Sequence, residues 1–131
     1  MTQKRIAVIP VVKKRNSCQI YLITSRDRQK WIIPTGKQEK HLSDRQVAEL
    51  EAYEEAGVKG KLDTSFLMTL HVASPSGRKK RKTHLYLIEV EKQLKDWPEK
   101  HQRRRKLVDV KKLDQFVCDK KLGKTIRQHL N

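Results

Sequence analysis

The sequence predicts an α+β domain in which a mostly antiparallel or mixed sheet packs against helices. Three apolar runs of strand length, IAVIPVV, IYLIT and HLYLIEV, are separated by polar turns. The stretch DRQVAELEAYEEAG has apolar residues at helical spacing, and residues 111–118 and 119–130 predict one or two further helices. Strands around one central helix, with helical material at the C-terminus, are typical of this class.

The first half of the chain predicts a hairpin followed by a short strand. Residues 4–12 form the first strand, where Pro10 favours an edge position or a bulge because proline cannot donate a ladder hydrogen bond. The polar turn 13–17 leads to a second strand at 18–24. The segment WIIP is then a short buried strand that Pro34 closes.

The central helix has clear start and stop signals. Ser43 or Asp44 offers a side-chain acceptor for the helix N-terminus, and Gly57 ends the helix in a left-handed cap position. The residues that can face the core are Val47, Ala48, Leu50 and Ala52.

The second half of the chain predicts more of the sheet. Residues 61–74 read as one strand or two, and residues 83–92 as a clear strand. The intervening PSGRKKRK is expected to be an exposed turn, and LVDV is a short strand before the terminal helices. No repeat or linker interrupts the pattern, so we expect one domain over residues 1–131.

Cysteine usage and hydropathy indicate a cellular setting. Cys18 and Cys118 are far apart and fit no metal-ligand spacing, so we expect buried free thiols in a reducing compartment. No run approaches the roughly 20 apolar residues of a membrane span, and no secretion signal precedes the first strand. The sequence therefore predicts a cytoplasmic protein with no membrane partner.

The charge balance indicates an anionic partner. Lysine and arginine number 31 against 15 acidic residues, a net charge of +16. Such an excess favours nucleic acid, a nucleotide, a polyphosphate or an acidic surface as partner. A merely soluble surface is the alternative explanation.

Three glutamates interrupt this basic pattern. Glu51, Glu54 and Glu55 are spaced i, i+3 and i+4, so they share one helix face. Like charges on adjacent turns repel, whereas Mg²⁺ or Mn²⁺ would reverse the sign because such hard cations prefer oxygen ligands. The two interpretations are a metal-binding helix and an ordinary solvated helix face.

The spacing around the glutamates resembles the Nudix box, G-x5-E-x7-R-E-U-x-E-E-x-G-U, in which U is aliphatic. The segment WIIPTG also resembles the family's W-x-x-P-x-G. Six fixed residue types of the box are in register across 23 positions: Gly36, Glu51, Glu54, Glu55, Gly57 and Val58.

Two positions depart from the box. Its first Glu is Leu42 here, and its Arg is Leu50. In the family these charges pair and brace the loop on the helix. Losing one partner would strand a charge at a cost of about 3–5 kcal/mol, but replacing both by apolar residues can be neutral. A Leu42–Leu50 contact would preserve the brace, whereas the opposing interpretation is weak or absent turnover.

The resemblance implies a Nudix-type α/β/α sandwich with a mixed sheet and a central loop-helix motif. It also implies cleavage of a pyrophosphate bond in a nucleoside diphosphate linked to another group. Mg²⁺ or Mn²⁺ would be held by Glu51, Glu54, Glu55 and the carbonyl of Gly36. The catalytic base would be Glu54 or Glu55, and Glu39 is either a further contact through water or a plain loop carboxylate.

The basic clusters Gly77–Lys82 and His101–Lys106 are expected to be exposed loops, which either bind phosphate or are solvated and loosely attract nucleic acid. The region from Gly77 to Val117 resembles diphosphoinositol polyphosphate phosphohydrolases, a Nudix group, with its basic turn, strand, L-x-D-W and second basic run. This resemblance implies substrate binding by Arg78, Lys80, Lys82, Arg103 and Arg105. Trp97 is expected to anchor its loop.

The sequence thus predicts a metal-dependent pyrophosphohydrolase acting on a small, highly anionic substrate. Candidate substrates are a dinucleoside polyphosphate, an inositol pyrophosphate or the 5′ end of an RNA. The alternative is a non-catalytic Nudix domain that binds nucleotide or RNA through its basic loops. A general nucleic-acid binder would leave the glutamates unused, and aromatic residues are only 5% of the chain. A monomer and a homodimer both stay open.

Overall fold

The computed structural model describes residues 4–130. The predicted single domain covers 1–131, so residues 1–3 and 131 of that prediction lie outside the described part. The elements in chain order are β1 (Arg5–Lys14), β2 (Ser17–Thr24), β3 (Trp31–Ile32), β4 (Thr35–Lys37), α1 (Asp44–Ala56), β5 (Val58–Leu62), β6 (Met68–Ala73), β7 (Lys80–Gln93), β8 (Arg105–Asp109), a 3₁₀ turn (Val110–Lys112), α2 (Leu113–Phe116) and α3 (Lys120–Leu130).

The described strands form one mixed sheet. Its main path runs β3, β2, β1, β7 and β5, while β4 pairs with β1, β6 with β7, and β8 with β2. The β1–β7 pair is parallel, and the other strand pairs are antiparallel. This arrangement confirms the predicted mixed sheet.

Pro10, predicted at an edge or a bulge, lies inside the sheet, so the edge alternative was wrong. Strand β1 has β7 on one side over residues 5–11. On its other side, pairing with β4 ends at Ala7 and pairing with β2 begins at Val11. Pro10 therefore falls where β1 changes its antiparallel partner, a place where the missing N–H costs little.

The long strand β7 decides between two alternatives and corrects one prediction. Residues 61–74, predicted as one strand or two, contain the end of β5 and all of β6, so the two-strand alternative is confirmed. Both strands pair with β7, at different points along its 14 residues. Residues 80–82 belong to β7, so only the first part of PSGRKKRK is a turn. A long strand can serve two shorter neighbours because each needs only part of its hydrogen-bonding edge.

Helix α1 begins and ends as predicted. The Ser43 hydroxyl accepts from the Gln46 N–H at 3.1 Å, and the Gln46 side chain accepts from the Ser43 N–H at 2.8 Å. This reciprocal pair is a capping box. Gly57 has φ of 65° and donates its N–H to Tyr53, as expected for a left-handed cap.

Two buried clusters on opposite faces of the sheet give the α/β/α arrangement. Ile6 and Val8 face α1 in a cluster with Val47, Ala48 and Ala52. The alternate residues of β1 join a second cluster under α2 and α3, with Leu113, Val117, Leu122 and Ile126. The period of two along β1 therefore distributes its side chains between two helical layers. No helix within residues 4–130 is long and apolar enough to cross a bilayer.

Candidate active site

The C-terminal half of α1 carries the three clustered glutamates into one cleft. Glu51, Glu54, Glu55 and Gly36 line this cleft. Its volume is about 910 Å³, which is within the usual range for ligand sites. The structure therefore brings together the four residues predicted as metal ligands, while their metal-binding role stays a prediction.

Glu51 and Glu55 are in direct contact at the base of the cleft. Their side chains share a hydrogen bond, and Glu55 Oε1 also accepts from the Thr35 N–H at 3.0 Å. A Cβ atom at position 36 would lie 2.5 Å from Glu51 Oε1. A side chain at position 36 would therefore displace the Glu51 carboxyl from its place beside strand β4.

The electrostatics of the cleft favour protonated carboxyls. Burial, followed by the hydrogen bond to Glu51, raises the pKa of Glu55 to about 9, although Arg103 acts in the opposite direction. Burial also raises the pKa of Glu51. Burial and then the charges of Glu99 and Glu39 raise the pKa of Glu54. A buried carboxyl pair of this kind shares a proton unless another cation replaces it.

The donor chemistry of the cleft fits a hard divalent cation. Within residues 4–130, no group of three or more His, Cys, Asp or Glu side chains is arranged to hold a metal ion, but Mg²⁺ is usually bound by only one or two carboxylates together with water and substrate oxygens. The contacting pair Glu51 and Glu55 nevertheless offers carboxylate oxygens, which Mg²⁺ and Mn²⁺ prefer. A cation there would take over the charge balance that the shared proton now provides.

We expect the metal-free protein to lose stability as the pH rises from 4.5 to about 9. In this window folded Glu55 keeps a proton that the unfolded chain has released, so raising the pH favours unfolding. Chemical denaturation across the window, in wild type and Glu55→Gln, measures the effect. The wild type should lose more free energy of unfolding than the variant, and equal losses would contradict the assigned pKa.

The loop before β8 contributes two residues to the cleft. Arg103 was predicted to be exposed, and Glu99 was not predicted as a site residue. Arg103 is buried, so the predicted exposed loop was wrong for this residue, although His101, Gln102 and Arg104 are exposed and lie outside the strands. Its Nε donates to Glu99 Oε1 at 2.8 Å, and its Nη2 lies 3.5 Å from Glu55 Oε2. Glu99, which was not predicted, also lines the cleft and donates its N–H to the Glu54 carbonyl. No sequence pattern marks Glu99, because it lies in irregular structure.

Arg105 is engaged with the end of α1. Its Nη1 donates to the carbonyls of Ala56 at 2.9 Å and Gly57 at 3.3 Å, and its Nη2 donates to Leu94 at 3.1 Å. The guanidinium lies 4.0 Å from the centre of the Trp97 ring. Arg105 is not among the residues that line the cleft. The predicted phosphate contact stays untested, and the observed contacts anchor the helix C-terminus.

Arg5 and Arg81 supply positive charge inside the cleft. Burial and then the neighbouring Arg81 lower the pKa of Arg5, while Glu55 and Glu51 raise it. The cleft lining omits three predicted phosphate ligands: Arg78, Lys80 and Lys82. Arg78 lies in the exposed turn, and the two lysines flank Arg81 on β7, where successive side chains point to opposite faces. If the sequence had shown that β7 begins at Lys80, the alternation of side chains along a strand would have indicated that Arg81 points to the opposite face from Lys80 and Lys82.

An apolar hollow adjoins the cleft and shares Arg5 and Arg81 with it. Asp119 also lines the hollow, but its carboxylate accepts from the N–H groups of Ala73 and Leu122. The aliphatic part of the lining is Ala7, Ile32, Ile33, Val72, Ala73, Val117 and Leu122. The combined site therefore has a carboxylate side, a cationic boundary and an apolar recess.

The two leucines that replace box charges have different surroundings. Leu42 is half-buried and packs against the cluster under α1. Leu50 is half-buried on the helix. Leu42 thus docks the loop before α1 by apolar packing, and direct contact between the two leucines stays a prediction.

The chain is similar in sequence to diphosphoinositol polyphosphate phosphohydrolases. Human diphosphoinositol polyphosphate phosphohydrolase 3-beta is 34% identical over 95 residues, which cover 72% of this chain and 56% of that protein. Mouse diphosphoinositol polyphosphate phosphohydrolase 2 is also 34% identical over 95 residues, 72% of this chain and 50% of its own length. The chain spans about half the length of these curated relatives. No family model matches it.

Solved structures support the same relationship through the fold. The Ap4A hydrolase of C. elegans superposes with a TM-score of 0.75 at 17% identity, over 98% of this chain and 96% of that one. A Nudix hydrolase from Nitrosomonas europaea has a TM-score of 0.72 at 16% identity, over 98% and 89%. Fold and sequence similarity agree, and the chain belongs to the Nudix hydrolase superfamily.

Proposed function

We propose that this protein is a metal-dependent pyrophosphohydrolase that cleaves a phosphoanhydride bond in a polyphosphate substrate. The observation that carries the proposal is the contact between Glu51 and Glu55 in the same cleft as Arg5 and Arg81. Carboxylates can hold a divalent cation, and arginines can hold phosphate oxygens. One cleft therefore contains both the carboxylates that metal binding requires and the arginines that phosphate binding requires.

The residues divide the work of hydrolysis. Glu51, Glu55, Glu54 and Gly36 would hold Mg²⁺ or Mn²⁺, which neutralises phosphate charge and activates water when bound. Arg5 and Arg81 orient the phosphate chain from the boundary with the hollow. Glu54 or Glu55 accepts a proton from the attacking water.

The apolar hollow is small, about 50 Å³, and it would contact an uncharged apolar group more favourably than a phosphorylated one. An inositol ring that carries phosphates would place charge against aliphatic walls, which is costly. A nucleobase would place an apolar face there instead. The human relative is named for diphosphoinositol polyphosphates and the nematode structure for Ap4A, so both substrate classes belong in the test.

The decisive experiment measures product release by the purified full chain. The substrates are diadenosine tetraphosphate, a diphosphoinositol polyphosphate and 5′-triphosphorylated RNA, each with Mg²⁺, Mn²⁺ or EDTA. We expect turnover only with metal, and fastest with the diadenosine compound. Ligand retention in EDTA without product would instead identify a binding module, the alternative that the replacement of the box Glu and Arg by Leu42 and Leu50 leaves open.

Replacing Arg81 by methionine should raise KM for the preferred substrate about 10- to 100-fold, because one charge-assisted hydrogen bond contributes roughly 1.5–3 kcal/mol. The matched control is Lys82→Met, which removes the same charge from the next residue of β7. Steady-state kinetics of both variants provide the comparison. Equal effects would show that bulk charge, not a contact in the cleft, binds the substrate.

Both cysteines are free thiols, each half-buried. We propose a reducing, cytoplasmic setting on this basis, because disulfides are rare there.

A further inference from the structure

Arg103 has an unusual environment for a residue of a basic loop. Only 8% of its surface is exposed. Its Nη1 donates to the Thr24 carbonyl at 3.0 Å, and the two other nitrogens face Glu99 and Glu55. Each nitrogen of the guanidinium therefore has a protein partner on a different element.

The end of α1 explains why a cation is needed there. Glu54 and Glu55 lie in its last turn, where the helix dipole already places partial negative charge. That turn contains no basic residue, and position 50 is leucine. The helix therefore has no cation of its own to balance the buried Glu55 carboxylate.

The loop that carries Arg103 is fixed to the same helix end. Glu99 donates its N–H to the Glu54 carbonyl at 3.0 Å, and Leu94 donates to the Gly57 carbonyl at 2.8 Å. The Arg104 N–H donates to Thr24 Oγ1 at 2.9 Å. The chain is thus fixed both before and after Arg103. The planar guanidinium therefore has a defined position, and its hydrogen-bond donors define where the Glu55 carboxyl group lies.

We propose that Arg103 is a positioning residue, which holds Glu55 in its catalytic orientation rather than binding substrate. The inference rests on the proposed function, because it concerns the same site. It also replaces the phosphate-binding role expected of Arg103 from the sequence. A side chain from the β8 loop thereby provides the positive charge that α1 lacks.

Kinetics of Arg103→Met and Arg103→Lys test the inference. We expect the methionine variant to lower kcat about 10- to 100-fold with KM changed by less than about twofold, because substrate contacts remain. Lysine keeps the charge but loses the fork, so its kcat should be intermediate. The matched control is Arg104→Met, an exposed neighbour, which should leave both constants near wild type. A raised KM with normal kcat would overturn the inference.

A spectroscopic measurement keeps the test valid if Arg103→Met does not fold. The Arg103 Nε–Hε resonance can be assigned from its loss in Arg103→Lys and followed in wild type during Mg²⁺ titration. We expect it to shift together with the Thr35 amide, which also contacts Glu55. A Thr35 shift without an Arg103 shift would overturn the inference alone. No response of either would remove the proposed metal site and this inference with it.

Discussion

Replacing Glu55 by glutamine is expected to lower kcat by roughly 10²–10⁴-fold, the range seen when a group essential for proton transfer is lost. Glutamine has the same shape and still accepts the Thr35 hydrogen bond, but it lacks the charge needed to hold a cation or accept a proton. Product release with saturating substrate and Mg²⁺ measures the loss.

Two comparisons separate loss of chemistry from loss of fold. Glu49→Gln changes an exposed glutamate on the same helix and should keep wild-type turnover. Without metal, Glu55→Gln should be at least as stable as wild type at neutral pH, because the amide is neutral without having to take up a proton on folding. If Glu55→Gln and Glu49→Gln turned over equally fast, the catalytic and metal assignments of Glu55 would both be wrong.

Replacing Gly57 by alanine should lower the free energy of unfolding by about 2–5 kcal/mol. The left-handed backbone costs alanine roughly 1–2 kcal/mol, and an overpacked contact adds about 1–3 kcal/mol. The contact is severe because the new Cβ would lie 2.5 Å from the Trp97 ring. That ring is held in turn by Arg105. Denaturant titration monitored by far-ultraviolet circular dichroism gives the change.

Gly77→Ala is the matched control for this substitution. Gly77 also has a positive φ, 76°, but nothing lies within 4 Å of an added Cβ. Its replacement should cost only the backbone part, about 1–2 kcal/mol. Equal destabilisation of the two variants would mean that Trp97 moves aside without cost, and that the helix end is not locked by the ring.

Much of the local structure follows from sequence because its signals are local. Ser43, Gln46 and Gly57 specify the ends of α1 through contacts within a few residues. The spacing of Glu51, Glu54 and Glu55 then places them on one face, and the register with Gly36 indicates a shared site. The continuous apolar run in β1 is likewise typical of a strand that is buried on both faces, as β1 is.

The remaining predictions depended on how strands that are distant in sequence pair with one another, which the sequence alone does not show. The position of Pro10 depends on where β1 changes from β4 to β2, which no local pattern encodes. The start of β7 at Lys80 decided that Arg81, rather than its neighbours, enters the cleft. A one-residue difference in strand register reverses every side chain, so charge clusters alone could not identify the phosphate ligands.

The sequence by itself determined the α+β class, the capped helix and the glutamate pattern. Only the tertiary structure decided that Arg103 and Arg105 turn inward to the end of α1, and that Glu99 joins the cleft. The physical reason is that the charge of an arginine can be balanced by protein carboxyl and carbonyl groups or solvated by water, and folding decides which of these lie beside it. Buried carboxylates and helix carbonyls brought together by folding attracted side chains that the chain order presents as an exposed basic run.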